Sequence, residues 1–200
     1  MNKYEILLNK INELKSEVER LVKEQKNRVL KNLEFFDRKN RPTKDLRVAK
    51  YLKFGRYNDL PIIWEIVEWK NNQLMLISKH ILTTRQFDEN TNVYELSEIK
   101  KWLENEFYND IFSSEEKTII NSITLPSNEE IEKFYPTTES RIKTGLIDKN
   151  FSWLYWLRSP NSVLSSYAWN VSVDGDMDNN PVGYYRCGVV PVLHINLIGG

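Results

Sequence analysis

Residues 60–79, LPIIWEIVEWKNNQLMLISK, decide how the rest of the chain is read. Two runs of β-branched and aromatic residues flank Asn71-Asn72. Asparagine tolerates the positive φ of a tight turn, so the stretch predicts a β-hairpin. The period then changes. In ELSEIKKWLENEFYNDIF, residues 95–112, Ile99, Trp102, Leu103 and Phe107 share one helical face, and Ser97 stands at the N-cap. Two short helices follow, opened by capping boxes of Ser113 with Glu116 and Ser127 with Glu130. NSITLP between them predicts a short strand. FSWLYWLRSP, SYAWNVSVDGD and CGVVPVLHINL in the last third predict three more, separated by polar loops. In the middle one Trp169, Val171 and Val173 alternate with Asn170, Ser172 and Asp174, the period of a half-buried strand. A strand pair, then helices, then strands, without regular βα alternation, predicts an α+β domain.

Upstream, residues 3–35 lack Gly and Pro and predict one long helix. Tyr4, Leu7, Ile11, Leu14, Val18 and Leu21 are spaced by alternating threes and fours. That is heptad spacing, with Ile11 and Val18 at a and Leu14 and Leu21 at d, a combination that favours a parallel two-stranded coil. The repeat decays at Gln25 and Arg28, and Leu8, Val22 and Val29 add a third apolar line. Two readings follow: an amphipathic helix packed on its own domain, or a short coiled coil that joins copies of the chain as a dimer or trimer. The second sets the expectation of a homo-oligomer through residues 3–35. DRKNRPTKD, residues 37–45, is charged, holds a proline and has no period, so it reads as a linker. The expected division is a helix at 1–36, a linker at 37–45 and a globular body at 46–200.

Lys+Arg and Asp+Glu are equal at 28 each, so no basic field advertises nucleic acid. The single cysteine, Cys187, excludes an internal disulfide framework. MNKYEILLNKINELK lacks the features of a signal peptide, and no apolar run reaches the ~18 residues of a membrane span. The expectation is a cytoplasmic or virion-associated protein.

DGDMDNNPVGYY, residues 174–185, is the most unusual stretch. An EF-hand loop beginning at Asp174 would need Gly at its sixth position and Glu at its twelfth. Asn179 and Tyr185 stand there, so no calcium loop of that type is expected. Asp174-Gly175 reads as a hairpin turn. His80, His194 and Cys187 form no metal-ligand spacing. Neither a nucleophile elbow nor a phosphate-cradling glycine loop occurs. No catalytic residue, metal or cofactor is therefore assigned. Residues 161–187 are rich in Ser, Asn, Asp, Tyr and Gly, the palette of antibody contact loops, although solvated loops share it. The candidate ligand contacts are Asn161, Tyr167, Trp169, Asp176, Asp178, Asn179, Asn180, Tyr184, Tyr185 and Arg186. Asp176, Asp178, Asn179 and Asn180 are expected in solvent, with Tyr184 and Tyr185 returning beside Tyr167.

FGRYNDLPIIWEIVE, LMLISKHIL, YELSEIKKWLENEFYNDIFSSEEKTII, YWLRSP and CGVVPVLHINL occur in the order of a bacterial and phage domain of unknown function, family 6273, which the chain resembles over about residues 50–197. The resemblance implies a C-type-lectin-like domain of the formylglycine-generating-enzyme type: a small twisted sheet, two main helices and a long irregular region before the closing strands. Where the family ends with Gly-x-Arg-Pro, this chain has Gly188-Val189-Val190-Pro191. Any role of that arginine is absent or taken by Arg186. Formylglycine-generating enzymes use two cysteines with copper, so a chain with one cysteine does not inherit their chemistry. The resemblance implies ligand display instead. Similar domains form receptor-binding tips in phages and the variable proteins of diversity-generating retroelements, with the exposed residues just before the terminal strand. The expected function is a non-enzymatic module that binds a protein or glycan ligand. The alternatives are a hydrolase using loop carboxylates and an assembly protein acting through the coiled coil.

Overall fold

The computed structural model describes residues 2–148 and 153–197. It is an α+β fold of two sheets with helices between their strands. The hairpin at 60–79 forms as β4, Leu60–Lys70, and β5, Gln73–Ser78. Asn71 and Asn72 join them with φ of 51° and 60°, which is why two asparagines can close this turn. The same device, Asn58-Asp59 with φ of 48° and 60°, joins β4 to the preceding β3, Ala49–Tyr57. These strands are the middle of a seven-stranded sheet. Its outer members are β1, Glu34–Asp37; β2, Pro42–Thr43; β7, Ile120–Thr124; and β12, Val192–Asn196. The order is β2-β1-β3-β4-β5-β12-β7.

The second sheet holds β6, Thr83–Thr84; β8, Tyr155–Pro160; β9, Tyr167–Val171; β10, Met177–Pro181; and β11, Gly188–Val189, in the order β10-β9-β8-β11-β6. Between β5 and β7 the expected helix forms as α2, Glu98–Trp102, a π-helical turn over Leu103–Phe107, and α3, Tyr108–Ile111. Ser97 Oγ accepts the Lys100 amide at 3.3 Å. The π turn keeps Trp102, Leu103 and Phe107 all buried. Next come α4, Ser114–Lys117, and, after β7, α5, Asn128–Phe134, and α6, Thr138–Arg141. The capping boxes of α4 and α5 are those read from the sequence.

The main core gathers Leu52, Trp64, Leu76, Phe87, Leu103, Phe107, Trp156 and Leu193. Trp64 donates its indole N–H to the Phe54 carbonyl at 2.7 Å, so its one polar atom is satisfied inside. Gly55 has φ of 69°, and a Cβ there would stand 2.7 Å from the Phe112 ring, so strand and aromatic cluster meet only at a glycine. A smaller core holds Met75, Ile77, Ile131, Tyr135, Tyr155, Leu157, Val171 and Val190.

The N-terminal third departs from expectation in two ways. The helix α1 spans Lys3–Asn32 and stops before Leu33, whose ψ of 132° is extended. Residues 34–43, expected as helix end and linker, are instead the β1–β2 hairpin. Phe35 faces Leu52 across the sheet and is buried. The charged turn is built by Asp37, whose Oδ1 accepts the Lys39 and Arg41 amides at 2.8 and 3.0 Å and whose Oδ2 accepts the Arg41 guanidinium. Asn40 supplies the positive φ, and Pro42 sits on the edge strand, where its missing N–H does no harm. The second departure concerns α1 itself. Only its last turns touch the body: Val29 is buried and Leu30 packs against the core. Residues 3–24 are exposed throughout. The reading of a helix packed on its own domain therefore holds only for the C-terminal end. No helix among the described residues is long and apolar enough to cross a membrane.

Candidate functional site

The stretch from Asp174 to Arg186 is a hairpin and its exit. The Gly175 amide donates to the Ser172 carbonyl at 3.1 Å, and the Ser172 amide to the Asp176 carbonyl at 2.8 Å. With Gly175 at φ of 87° this is a tight turn closed by a glycine bulge. A Cβ on Gly175 would lie 1.9 Å from the Thr138 carbonyl oxygen, so the turn is docked on the start of α6. Residues 177–181, expected as loop, form β10. Their composition is poor for a strand, but β10 is an edge strand, where Asp, Asn and Pro are tolerated.

The candidate contacts do not share one surface. Asn179 pairs with Trp169 and Pro181 with Tyr167. That puts Asn179, Trp169 and Tyr167 on the face that also carries Val171 and Met177, where Trp169 packs against the smaller core. Asp178 and Asn180 pair with Asn170 and Ala168, on the opposite face. Asp178 Oδ1 accepts the amide of Asn179 at 2.7 Å. Asp176 and Asp178 are exposed, as expected, while Asn179 and Asn180 are half-buried. Asn161 is spent on its own loop: its Oδ1 accepts the Val163 and Leu164 amides at 2.9 and 3.0 Å. Tyr184 is half-buried against the main core, with its ring 6.4 Å from that of Tyr185. Tyr185 is 63% exposed, and the Arg186 guanidinium lies 5.5 Å from its ring centroid.

The alternation read for β9 is also corrected. Asn170, placed on the solvent side, is fully buried, and no described group pairs with its amide. Val173, placed inside, is exposed. Val173 lies past the end of β9, in the turn between Ser172 and Asp176, and Asn170 is buried because β9 is an inner strand with both faces covered. Trp156 and Ala168 belong to the main core, and Tyr155 and Val171 to the smaller one.

Two arrangements were not legible in the sequence. The first is a cleft of about 510 Å³ beside the edge strand β6. Its walls are Ile81, Leu82, Leu146, Ile147, Trp153 and Tyr57. Its polar groups come from Asn58, Thr83, Thr84, Asp148 and Arg186. The floor is tied by backbone, the Ile81 amide to Thr144 and the Leu146 amide to Ile81, both at 2.9 Å. Trp153 donates its indole N–H to the Arg186 carbonyl, which fixes the wall that carries Arg186. Arg186 is the one predicted contact that lines this cleft.

The second is a charged cluster beside the smaller core. The Tyr135 hydroxyl donates to Glu65 Oε2 at 2.6 Å, and Lys50 Nζ lies 2.9 Å from Glu65 Oε1. Lys143 is 5% exposed, with its Nζ 4.7 Å from the Tyr135 ring centroid. Lys79 Nζ lies 4.4 Å from the Tyr51 ring centroid. Burial alone would raise the Glu65 carboxyl, but the Tyr135 hydroxyl, Lys50 and Lys143 together hold it below the usual carboxylate range. Burial pushes the Lys143 ammonium down to about 8, against the pull of Glu65. Burial and Glu65 push the Tyr135 phenol up.

The two histidines are engaged separately, His80 Nδ1 with Thr144 Oγ1 at 3.2 Å and His194 Nδ1 with Ser122 Oγ at 3.1 Å. Burial lowers His194 and raises the Cys187 thiol. Among the described residues no three His, Cys, Asp or Glu side chains converge as a metal site requires.

One family matches the chain. It is described as Domain of unknown function (DUF6273), and its matches cover residues 71–151 and 128–197. They overlap and together run over more than half of the sequence, leaving α1 and the strands β1 to β4 outside, so residues 50–70 of the resemblance are not covered. No curated protein and no solved structure matches the chain.

Proposed function

The chain belongs to the DUF6273 family, and on that footing we propose that it is a non-enzymatic binding module whose head is presented in more than one copy by the helical arm α1. The observation that carries this reading is the bare arm. Tyr4, Leu7, Ile11, Leu14, Val18 and Leu21 are each 50–70% exposed in the single chain, and Leu8 and Val22 flank them. Exposed apolar stripes of this extent mark interaction surfaces. A partner for the arm would recover roughly 25 cal/mol for each Å² of apolar area removed from water, which a lone projecting helix has no other way to gain.

The ligand end of the proposal is the cleft at Arg186. Its volume lies in the range of roughly 300–1,000 Å³ typical of binding sites, and its walls are apolar with a few polar groups. Arg186 and Tyr185 offer a guanidinium fork and an aromatic face beside it, suited to a protein or glycan ligand. The other residues first considered, from Asn161 to Tyr184, frame the hairpin that delivers this pair. The C-type-lectin-like assignment belongs to the proposal as well. It is supported by the α+β architecture and by β12 closing between β5 and β7. A role in phage receptor binding follows from that resemblance.

Glycan and peptide arrays probed with the full chain, with Ile11→Glu/Leu14→Glu and with Tyr185→Ala/Arg186→Ala test both parts. A multivalent chain gains avidity that the arm variant lacks. The cleft variant should lose binding with an unchanged melting temperature. A ligand that holds the cleft variant as tightly as the original chain would remove the cleft from the proposal.

A further inference from the structure

We infer that the surface covering the arm is the arm of a second copy of this chain, running antiparallel, with Ile11 facing the partner's Leu14. This rests on the reading that the arm self-associates, and adds its direction and register.

Reversing one helix sets a positions against d positions. With Ile11 opposite the partner's Leu14, the adjoining layers join Leu7 to the partner's Val18 and Tyr4 to the partner's Leu21. Every a and d side chain from Tyr4 to Leu21 then meets an apolar one. Gln25 and Arg28, which break the repeat, fall beyond the end of the partner helix. In a parallel pair they would face their own copies, setting two guanidinium groups against each other in the seam.

Length agrees with this register. It brings Lys3 level with the partner's Val22. The free arm is residues 3–24, and Gln25 and Lys26 are the first residues half-buried against the head. The overlap therefore fills the free arm and stops short of the head.

Charge supplies the direction. The positions flanking a on the g side are Lys3, Lys10, Glu17 and Glu24, so the sign changes halfway along. Antiparallel packing brings g against g: Lys10 meets the partner's Glu17, and Lys3 the partner's Glu24, each twice by symmetry. Parallel packing brings g against e of the next heptad. Lys10 would then face the partner's Lys15, while Lys3, Glu17 and Glu24 would face Leu8, Val22 and Val29, without one attractive pair. Glu17 and Glu24 share Arg20 within their own helix at 2.6 and 2.5 Å, yet their side chains remain 52% and 57% exposed, with acceptor sites left for a lysine. The preference of β-branched a and leucine d residues for parallel pairs is overruled, because flanking charges set orientation and only three heptads carry the packing term.

The test is a charge swap read by sedimentation equilibrium of the full chain at low salt. Antiparallel, the new carboxylate of Lys10→Glu faces the partner's Glu17, and the dimer dissociation constant should rise about tenfold, since two pairs turn repulsive. Adding Glu17→Lys should restore it. In a parallel dimer Lys10→Glu would instead face the partner's Lys15 and tighten association; tightening overturns the inference, as does a trimer. A chain monomeric at 100 µM or so overturns the self-association reading itself, a separate result. Spin labels on Lys23→Cys give an independent check, the buried Cys187 being protected. Antiparallel arms place them about 30 Å apart along the helix axis. Parallel arms place them side by side, on axes about 10 Å apart, and that result overturns the inference too.

Discussion

Lys143 carries an ammonium into a closed, largely apolar site, and its replacement by methionine is a quantitative test of the charged cluster. Burial pushes this group down to about 8, Lys50 and Lys79 push the same way, and only Glu65 opposes them. The folded value lies below the unfolded one, near 10.5. Between those values the unfolded chain holds the proton more tightly, so stability rises with pH there. The contribution is complete above about 10.5 and is lost as pH falls through about 8. At about 1.4 kcal/mol per pH unit, the charge costs about 3 kcal/mol at pH 7 and about 1 kcal/mol at pH 10. Tyr51, Tyr135 and Tyr155 are shifted upward by burial, so their contribution is lost only as pH rises beyond the usual phenol value of 10. The clean window is therefore pH 8 to 10. Lys143→Met keeps most of the stem and removes the charge, while Lys50 and Tyr135 still hold Glu65. Urea unfolding of both chains at pH 7, 8, 9 and 10 should show the variant's advantage shrinking by about 2 kcal/mol across the series. A difference that stays constant from pH 7 to pH 10 would mean that burial does not depress the Lys143 ammonium.

Arg158 forks onto Glu130 at 2.6 and 2.7 Å and onto the Leu125 carbonyl at 2.6 Å, tying β8 to the start of α5. Arg158→Ala should destabilise by about 2–4 kcal/mol in urea, and lysine, lacking the fork, should recover little of it. The Asn92 amide donates to the carbonyls of Asn161, Leu164 and Tyr167 at 2.9–3.1 Å. Asn92→Ala should cost about 1–3 kcal/mol and speed hydrogen exchange in residues 161–167; unchanged exchange there would contradict the assigned role. A fragment of residues 33–200 should fold cooperatively, whereas 46–200, which lacks the β1–β2 hairpin over Leu52, should melt earlier or not cooperatively; equal melting of the two would show the hairpin to be dispensable.

The parts of the fold visible in the sequence are those with a local cause. Asn71-Asn72 closes its turn because two residues there have positive φ. Ser113 and Ser127 start helices because their hydroxyls and the glutamates three residues on satisfy each other's amides. Ile99, Leu103 and Phe107 are core, as their shared helical face requires. What was not visible depends on tertiary company. The segment at 34–43 carries too few residues per strand to show a period, and its turn is made by one carboxylate, Asp37. The polar stretch after Asp174 reads as one surface only while it is taken for a loop. Once Met177–Pro181 pairs with β9, a period of two sends Asn179 one way and Asp178 with Asn180 the other. Arg186 stood out by its polar neighbourhood, but Tyr57, Ile81 and Ile147, its companions in the cleft, come from three separate segments. The Glu65, Tyr135 and Lys143 cluster likewise has no local spacing to betray it.

Whether the arm joins copies of the head is read from sedimentation equilibrium of the full chain beside its Ile11→Glu/Leu14→Glu variant. Both positions are more than half exposed and far from the core, so the variant's head should melt as the original does. The original chain should be a concentration-dependent dimer at tens of micromolar and the variant a monomer. A monomeric original chain, or a variant whose dimer survives intact, would contradict self-association through the arm.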